Sequence, residues 1–123
     1  MKNVLIEKHV GALGCASDVT ILFDERPRGV LAVDADKVHG DLVADRWVAG
    51  DWMRPLGMRG RKKLQDWFKD RHYSLVDKQR AIVVRDSGLT DAHHVVAIAG
   101  HTIDQAYKIT PSTRRVFVIT KRS

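Results

Sequence analysis

A single cysteine, only three prolines and no long apolar run leave this chain of 123 residues with few of the devices that announce a protein class. Cys15, being alone, excludes a disulfide framework within the chain and a thiolate zinc site, which suits a reducing compartment. Gly14 and Ala16 flank it and no neighbouring cation stabilises a thiolate, so Cys15 reads as a small packing residue. No apolar stretch approaches the roughly 20 residues that cross a bilayer, and the N-terminus lacks a signal-peptide pattern. A cytoplasmic protein with no membrane partner is expected. Internal repeats and low-complexity segments are also missing, and the length favours one domain over 1–123 with its own core.

Catalytic signatures are equally scarce. There is no G-x-x-x-x-G-K loop to cradle a nucleotide phosphate and no Ser, His and Asp grouping. Ser87-Gly88-Leu89-Thr90-Asp91 imitates the S-G-G-x-D-S pyrophosphate loop of adenylating enzymes, but Leu89 replaces the second glycine and Ala92 the final serine. The segment is also expected between two strands, where that loop links a strand to a helix. His93 and His94, as strand neighbours, point to opposite faces and do not share a metal ion. Asp34 and Asp36 share a face and, with Asp41 or Asp45, resemble a hard-cation set; turn and cap duties are the preferred reading. No catalytic residue, metal ligand or cofactor is therefore assigned to this chain.

What the sequence does have is charge, unevenly placed. Up to Met53 there are 6 Lys and Arg against 9 Asp and Glu; from Arg54 onward there are 15 against 6. The net charge of +6 therefore arises in the C-terminal part, as in a protein that offers one face to a polyanion. Between Arg46 and Phe68 aromatics, glycines, a proline and cations converge. Arg54, Arg59, Arg61, Lys62 and Lys63 have no carboxylate among them, and the last three fall where a helix is expected to begin. Cations there are disfavoured by roughly 0.3 to 1 kcal/mol each, which points to an anionic partner such as phosphate. Lys69 and Arg71 extend the candidate surface. Trp47 and Trp52 are read as core residues with base stacking as the alternative, and Trp67 as core.

The spacing of Leu64, Trp67, Phe68 and Arg71 or His72 predicts a helix from about Gly60 to His72, with Lys62 and Asp66 pairing on its outer side. β-type runs occur at Val4–Ile6, Val19–Phe23, Val30–Val33, Leu42–Val48, Ala81–Val84, Val95–Ile98 and Val116–Ile119. The turn over 24–29 makes a hairpin of the second and third plausible. Strands, one clear helix and more strands imply an α+β domain, mainly antiparallel.

Two blocks carry a family resemblance. Arg46-Trp47, Gly50-Asp51, Arg54-Pro55-Leu56-Gly57-Met58, Gly60, Lys62-Lys63-Leu64, Asp66 and Phe68 form the first. The second is Ala99 to Asp104 followed by Tyr107 to Val116, which contains Ile103-Asp104 and Thr110-Pro111-Ser112-Thr113. In order and spacing they resemble the C-terminal domain of tRNA(Ile)-lysidine synthetase, most strongly over 42–120. The resemblance implies a small β-sandwich-like fold with packed helices, shared with a domain of the phenylalanyl-tRNA synthetase beta chain. It implies a parent enzyme that uses ATP and Mg to join lysine to the wobble cytidine of tRNA(Ile), with catalysis in an N-terminal PP-loop domain. This chain would then be a C-terminal fragment, inactive alone, that holds tRNA(Ile) through Arg46, Arg54, Arg59, Arg61, Lys62, Lys63, Lys69 and Arg71. Its other implied partners are the N-terminal catalytic domain and a second copy in a homodimer. A docking or oligomerisation module without tRNA contact is the alternative.

Overall fold

A computed structural model describes residues 4–10 and 30–121. The strand expected over 19–23, the turn over 24–29 and the packing role of Cys15 lie outside them. Nine strands are described: β1 Val4–Val10, β2 Val30–Asp34, β3 Leu42–Arg46, β4 Trp52–Met53, β5 Lys62–Lys63, β6 Ile82–Asp86, β7 Val95–Ile98, β8 Thr102–Ile103 and β9 Arg115–Lys121. Two short helices, α1 Leu64–Asp70 and α2 Leu75–Arg80, follow β5. The strands form a three-stranded sheet β1-β9-β2, a four-stranded sheet β3-β6-β7-β8 and the small ribbon β4-β5. All these ladders are antiparallel, so the domain is the mainly antiparallel α+β type that the strand pattern implies.

The four-stranded sheet is the middle layer. On one side Val84, Val96, Ala97 and Ile103 meet Leu31, Val33 and Ile119 of the three-stranded sheet, giving the sandwich. On the other, Val83, Val95 and Ile98 meet Met53 of β4 and Leu64, Trp67 and Phe68 of α1. Burial on both faces explains why β7 is a continuous apolar run, fully buried, instead of alternating. A bulge adjusts its pleat. Val84 pairs with Ala97 and Arg85 with Val95, which leaves Val96 as the extra residue and sends both Val96 and Ala97 to the sandwich side.

The helix after the basic segment is shorter than its periodicity suggests. Leu64, Trp67 and Phe68 form the buried stripe as expected, but Gly60 to Lys63 are not helical. Lys62 and Lys63 pair with Met53 and Trp52 instead, so the ladder to β4 captures the residues that helical propensity alone would continue into α1. Arg71 is the C-cap, and His72 takes a positive φ of 56° just beyond it. A second helix, α2, occupies a segment to which the sequence pattern assigned no element. Its start is fixed by a reciprocal capping box: Ser74 Oγ accepts from the Asp77 amide at 3.1 Å and Asp77 Oδ2 accepts from the Ser74 amide at 3.0 Å.

Candidate nucleic-acid interface

The basic loop between β4 and β5 is bound to the second sequence block by main-chain and carboxylate hydrogen bonds. The Arg54 amide donates to Asp104 Oδ2 at 2.9 Å, and the Arg54 carbonyl accepts from the Gln105 amide at 2.7 Å. Leu56 N–H donates to the Ile103 carbonyl and Gly57 N–H to Gln105 Oε1 at 2.8 Å. From there the loop runs through Gly57 and Gly60, whose φ values of +83° and +77° suit glycine and whose Cα atoms face open space. Arg59 is exposed on this stretch.

Beneath the loop Trp52 is a fixed plate. Its indole nitrogen donates to Asp91 Oδ2 at 3.0 Å, and the ring of His94 stacks on it at 4.2 Å with an interplanar angle of 10°. The Arg61 guanidinium lies 3.9 Å from the Trp52 ring centre, and two groups this close cannot share a face, so Trp52 is sandwiched between them. Arg54 approaches the same ring at 5.4 Å. His94 is held in turn by buried Asp104, Nε2 to Oδ2 at 2.8 Å. Burial would raise the Asp104 carboxyl, but hydrogen bonds from His94 and from the Arg54 and Ala106 amides outweigh it and hold it below its ordinary value.

A groove of about 780 Å³ opens beside this plate, lined by Trp52, Met58, Arg61, Lys62, Lys63 and Lys69 together with Asp66 and Asp70. Four of the eight sequence-predicted cations thus share one concave surface, with Arg54 and Arg59 on the loop above it. The other two stand apart. Arg71 stacks on Trp67 at 4.0 Å, and Arg46 donates to the Gln79 carbonyl beside a separate cleft of about 350 Å³ that Trp47, Leu75 and Lys78 also line. Two expectations about the helix start are corrected. The Leu64 amide is not free, since it donates to the Asp51 carbonyl at 3.0 Å, and Lys62 pairs with Asp70 instead of Asp66. Lys62 and Lys63 still stand at the helix start, Lys63 as the N-cap of α1, and their side chains line the groove.

Asp51, the acid of the Trp47 to Asp51 turn, is the residue that charge counting overlooked. Its carboxylate is fully buried and takes Arg85 in a two-point contact at 3.0 and 2.7 Å, with the Val48 amide at 2.7 Å and His93 Nδ1 at 3.1 Å. Arg85 also reaches Asp45 at 3.1 Å and the Arg46 and Ala92 carbonyls. The histidines pair separately, His93 with Asp51 and His94 with Asp104, and no metal-competent cluster occurs among the described residues. Asp34 has the structural task expected of it, accepting from the Asp36 amide and from Thr113 Oγ1 at 2.8 Å. Trp67 is core and Trp47 is half-buried, its indole donating to the Lys78 carbonyl. No described helix is long and apolar enough to cross a membrane.

No protein-family model matches the chain. In sequence it is 34% identical over 102 residues to a tRNA(Ile)-lysidine synthase of Parabacteroides distasonis, covering 82% of this chain and 22% of that protein. Similar relations hold to the tRNA(Ile)-lysidine synthases of Bacteroides thetaiotaomicron, 31% identical over 76% of this chain and 21% of the relative, and Caldanaerobacter subterraneus, 30% over 70% and 17%. The chain thus spans about a fifth of the curated relatives it matches, in their C-terminal part. In fold it is similar to a crystal structure of the TilS C-terminal domain, with a TM-score of 0.70, 16% identity and coverage of 98% of this chain and 82% of the other. It is also similar to an N-terminal fragment of the phenylalanyl-tRNA synthetase beta-subunit from Pyrococcus horikoshii, with a TM-score of 0.64, 19% identity and coverage of 98% and 38%.

Proposed function

We propose that this chain, a relative in sequence and fold of the C-terminal domain of tRNA(Ile)-lysidine synthase, is the noncatalytic tRNA-binding domain of such an enzyme. The observation that carries the reading is the groove in which Arg61, Lys62, Lys63 and Lys69 converge beside Trp52. Guanidinium and ammonium groups around a concave surface suit the phosphates of a folded RNA, and none of them depends on base sequence. The parent is then a cytoplasmic ATP-dependent ligase that acts on tRNA(Ile), with ATP, Mg and the chemistry in a separate N-terminal domain and no catalysis in this chain.

The test is a salt titration of tRNA binding by the 123-residue chain and its Lys63→Glu/Lys69→Glu variant. The variant should bind more weakly, and its log affinity should fall less steeply with log salt, by about 0.9 for each duplex phosphate that is no longer neutralised. Equal affinity and equal slope would overturn the reading.

A second reading has one observation in its favour. Helix α2 buries none of its residues, and Leu75 and Val76 are 72% and 51% exposed near the Arg46 cleft. Such a face suits docking against another part of the same enzyme or a second copy, without direct tRNA contact. Sedimentation of the chain with and without tRNA separates the two: self-association that tRNA does not alter favours docking.

A further inference from the structure

The groove holds two features that a site for phosphate alone does not use. The first is the stacked column His94, Trp52, Arg61, in which the last member is exposed and lines the groove. The hydrogen bond from Trp52 to Asp91 and the one from His94 to Asp104 fix the two inner planes, so the guanidinium rests on a rigid support. A flat guanidinium is a good stacking partner for an unpaired base.

The second is Asp66. It lines the groove among the cations, is exposed, and its carboxylate makes no hydrogen bond or ion pair with any described residue. Asp70, the other acid there, is taken up by Lys62. An ionised carboxylate is an acceptor only, and beside a bound phosphate it would be repulsive. It fits a ligand that brings donors as well as phosphates. Among the common bases guanine is the one whose Watson–Crick edge has two adjacent donors, N1–H and N2–H2, which match the two oxygens of a carboxylate. The groove volume of about 780 Å³ is within the range of about 300 to 1,000 Å³ typical of small-ligand sites.

We propose that the groove binds an unpaired guanosine nucleotide of an RNA strand. The base extends the column by stacking on Arg61, its Watson–Crick edge meets Asp66, and Lys63 and Lys69 hold the flanking phosphates. The inference rests on the tRNA-binding reading in that both use the cations of the same groove, and it adds a base-specific contact to them.

The experiment titrates the chain with fluorescently labelled UUGU, UUIU and UUUU tetranucleotides at one salt concentration, and in parallel with whole tRNA. Inosine keeps N1–H and lacks the N2 amino group. UUGU should bind at least about fivefold more tightly than UUUU, since a good bidentate base contact is worth about 1 to 3 kcal/mol, with UUIU between them. Asp66→Ala should level the three affinities, and Asp66→Asn should do so with a side chain of nearly the same size; circular dichroism checks that both stay folded. Equal binding of the three oligonucleotides, with salt-dependent tRNA binding intact, would overturn the guanosine site and leave the tRNA reading standing. A guanine preference without tRNA binding would support the site and overturn that reading. Loss of both would overturn both.

Discussion

Asp104 fastens Arg54 across fifty residues of sequence, its Oδ2 accepting the Arg54 amide at 2.9 Å while it also takes His94 Nε2 at 2.8 Å. One buried carboxylate thus positions both the base of the basic loop and the ring beneath Trp52. Asp104→Ala strands these donors and the Ala106 amide without an acceptor, and should cost about 3 kcal/mol of stability. Urea unfolding measures the loss, and Asp104→Asn, which keeps one acceptor oxygen, should lose less. Amide NMR shifts confined to 54–57 and 104–106 would identify the affected strap.

Arg85 and Asp51 predict a larger penalty. Arg85→Met leaves a fully buried carboxylate without its guanidinium, for an expected loss of about 3 to 5 kcal/mol. Combining it with Asp51→Leu should cost clearly less than the sum of the two single changes, because the unpaired charge is gone. A denaturation cycle over the four proteins is the check.

Stability should also depend on pH in a defined direction. Asp51, Asp86 and Asp104 are buried, which by itself raises a carboxyl, yet donors overcome this in all three: Arg85 for Asp51, the His39 and Gly88 amides for Asp86, His94 for Asp104. Each is therefore lowered from the ordinary 3.8. A carboxyl lowered in the folded state contributes stability that is complete above its unfolded value and is lost as pH falls through its folded value. Thermal unfolding should show no decline from these groups between about pH 5 and 7, and a progressive drop below about pH 4. Arg85→Met should flatten part of that acid drop, since Asp51 then loses the donor that lowers it most.

Lys62 predicts a gain. In the folded protein Asp70 neutralises it, so Asp70→Asn releases a groove cation without disturbing the core. Stability should be nearly unchanged, since exposed pairs contribute little. Affinity for tRNA should rise, with a salt slope steeper by about 0.9. Filter binding across a salt series reads both.

Much of the architecture was legible in the sequence because burial on two faces makes strands obvious: Val95 to Ile98 can hardly be anything else. The stripe of Leu64, Trp67 and Phe68 likewise announced α1. Its start did not, because Lys62 and Lys63 are taken by a ladder to Met53 and Trp52, and two-residue strands are too short to show an alternating period. For α2 the signal was present in Ser74-x-x-Asp77, but a six-residue helix that buries nothing has no apolar period to detect. The candidate cations were legible one by one. Their division was not, since only the fold sends Arg61 to Trp52, Arg71 to Trp67 and Arg46 to the far cleft. The two sequence blocks carried the family resemblance, and within them Asp51, Asp104 and Thr113 are buried parts of the framework.

The strap from residues 103–105 to the basic loop sets an order of events during synthesis. Residues 54–63 leave the ribosome well before Asp104 and Gln105, and until then the Arg54 and Gly57 amides have no carboxylate or amide oxygen to receive them. Pairings of such separation close late and carry a loop-closure cost. A nascent chain therefore exposes its cations on an unshaped loop, and the strap that fixes the loop is completed only when the last third of the sequence has emerged.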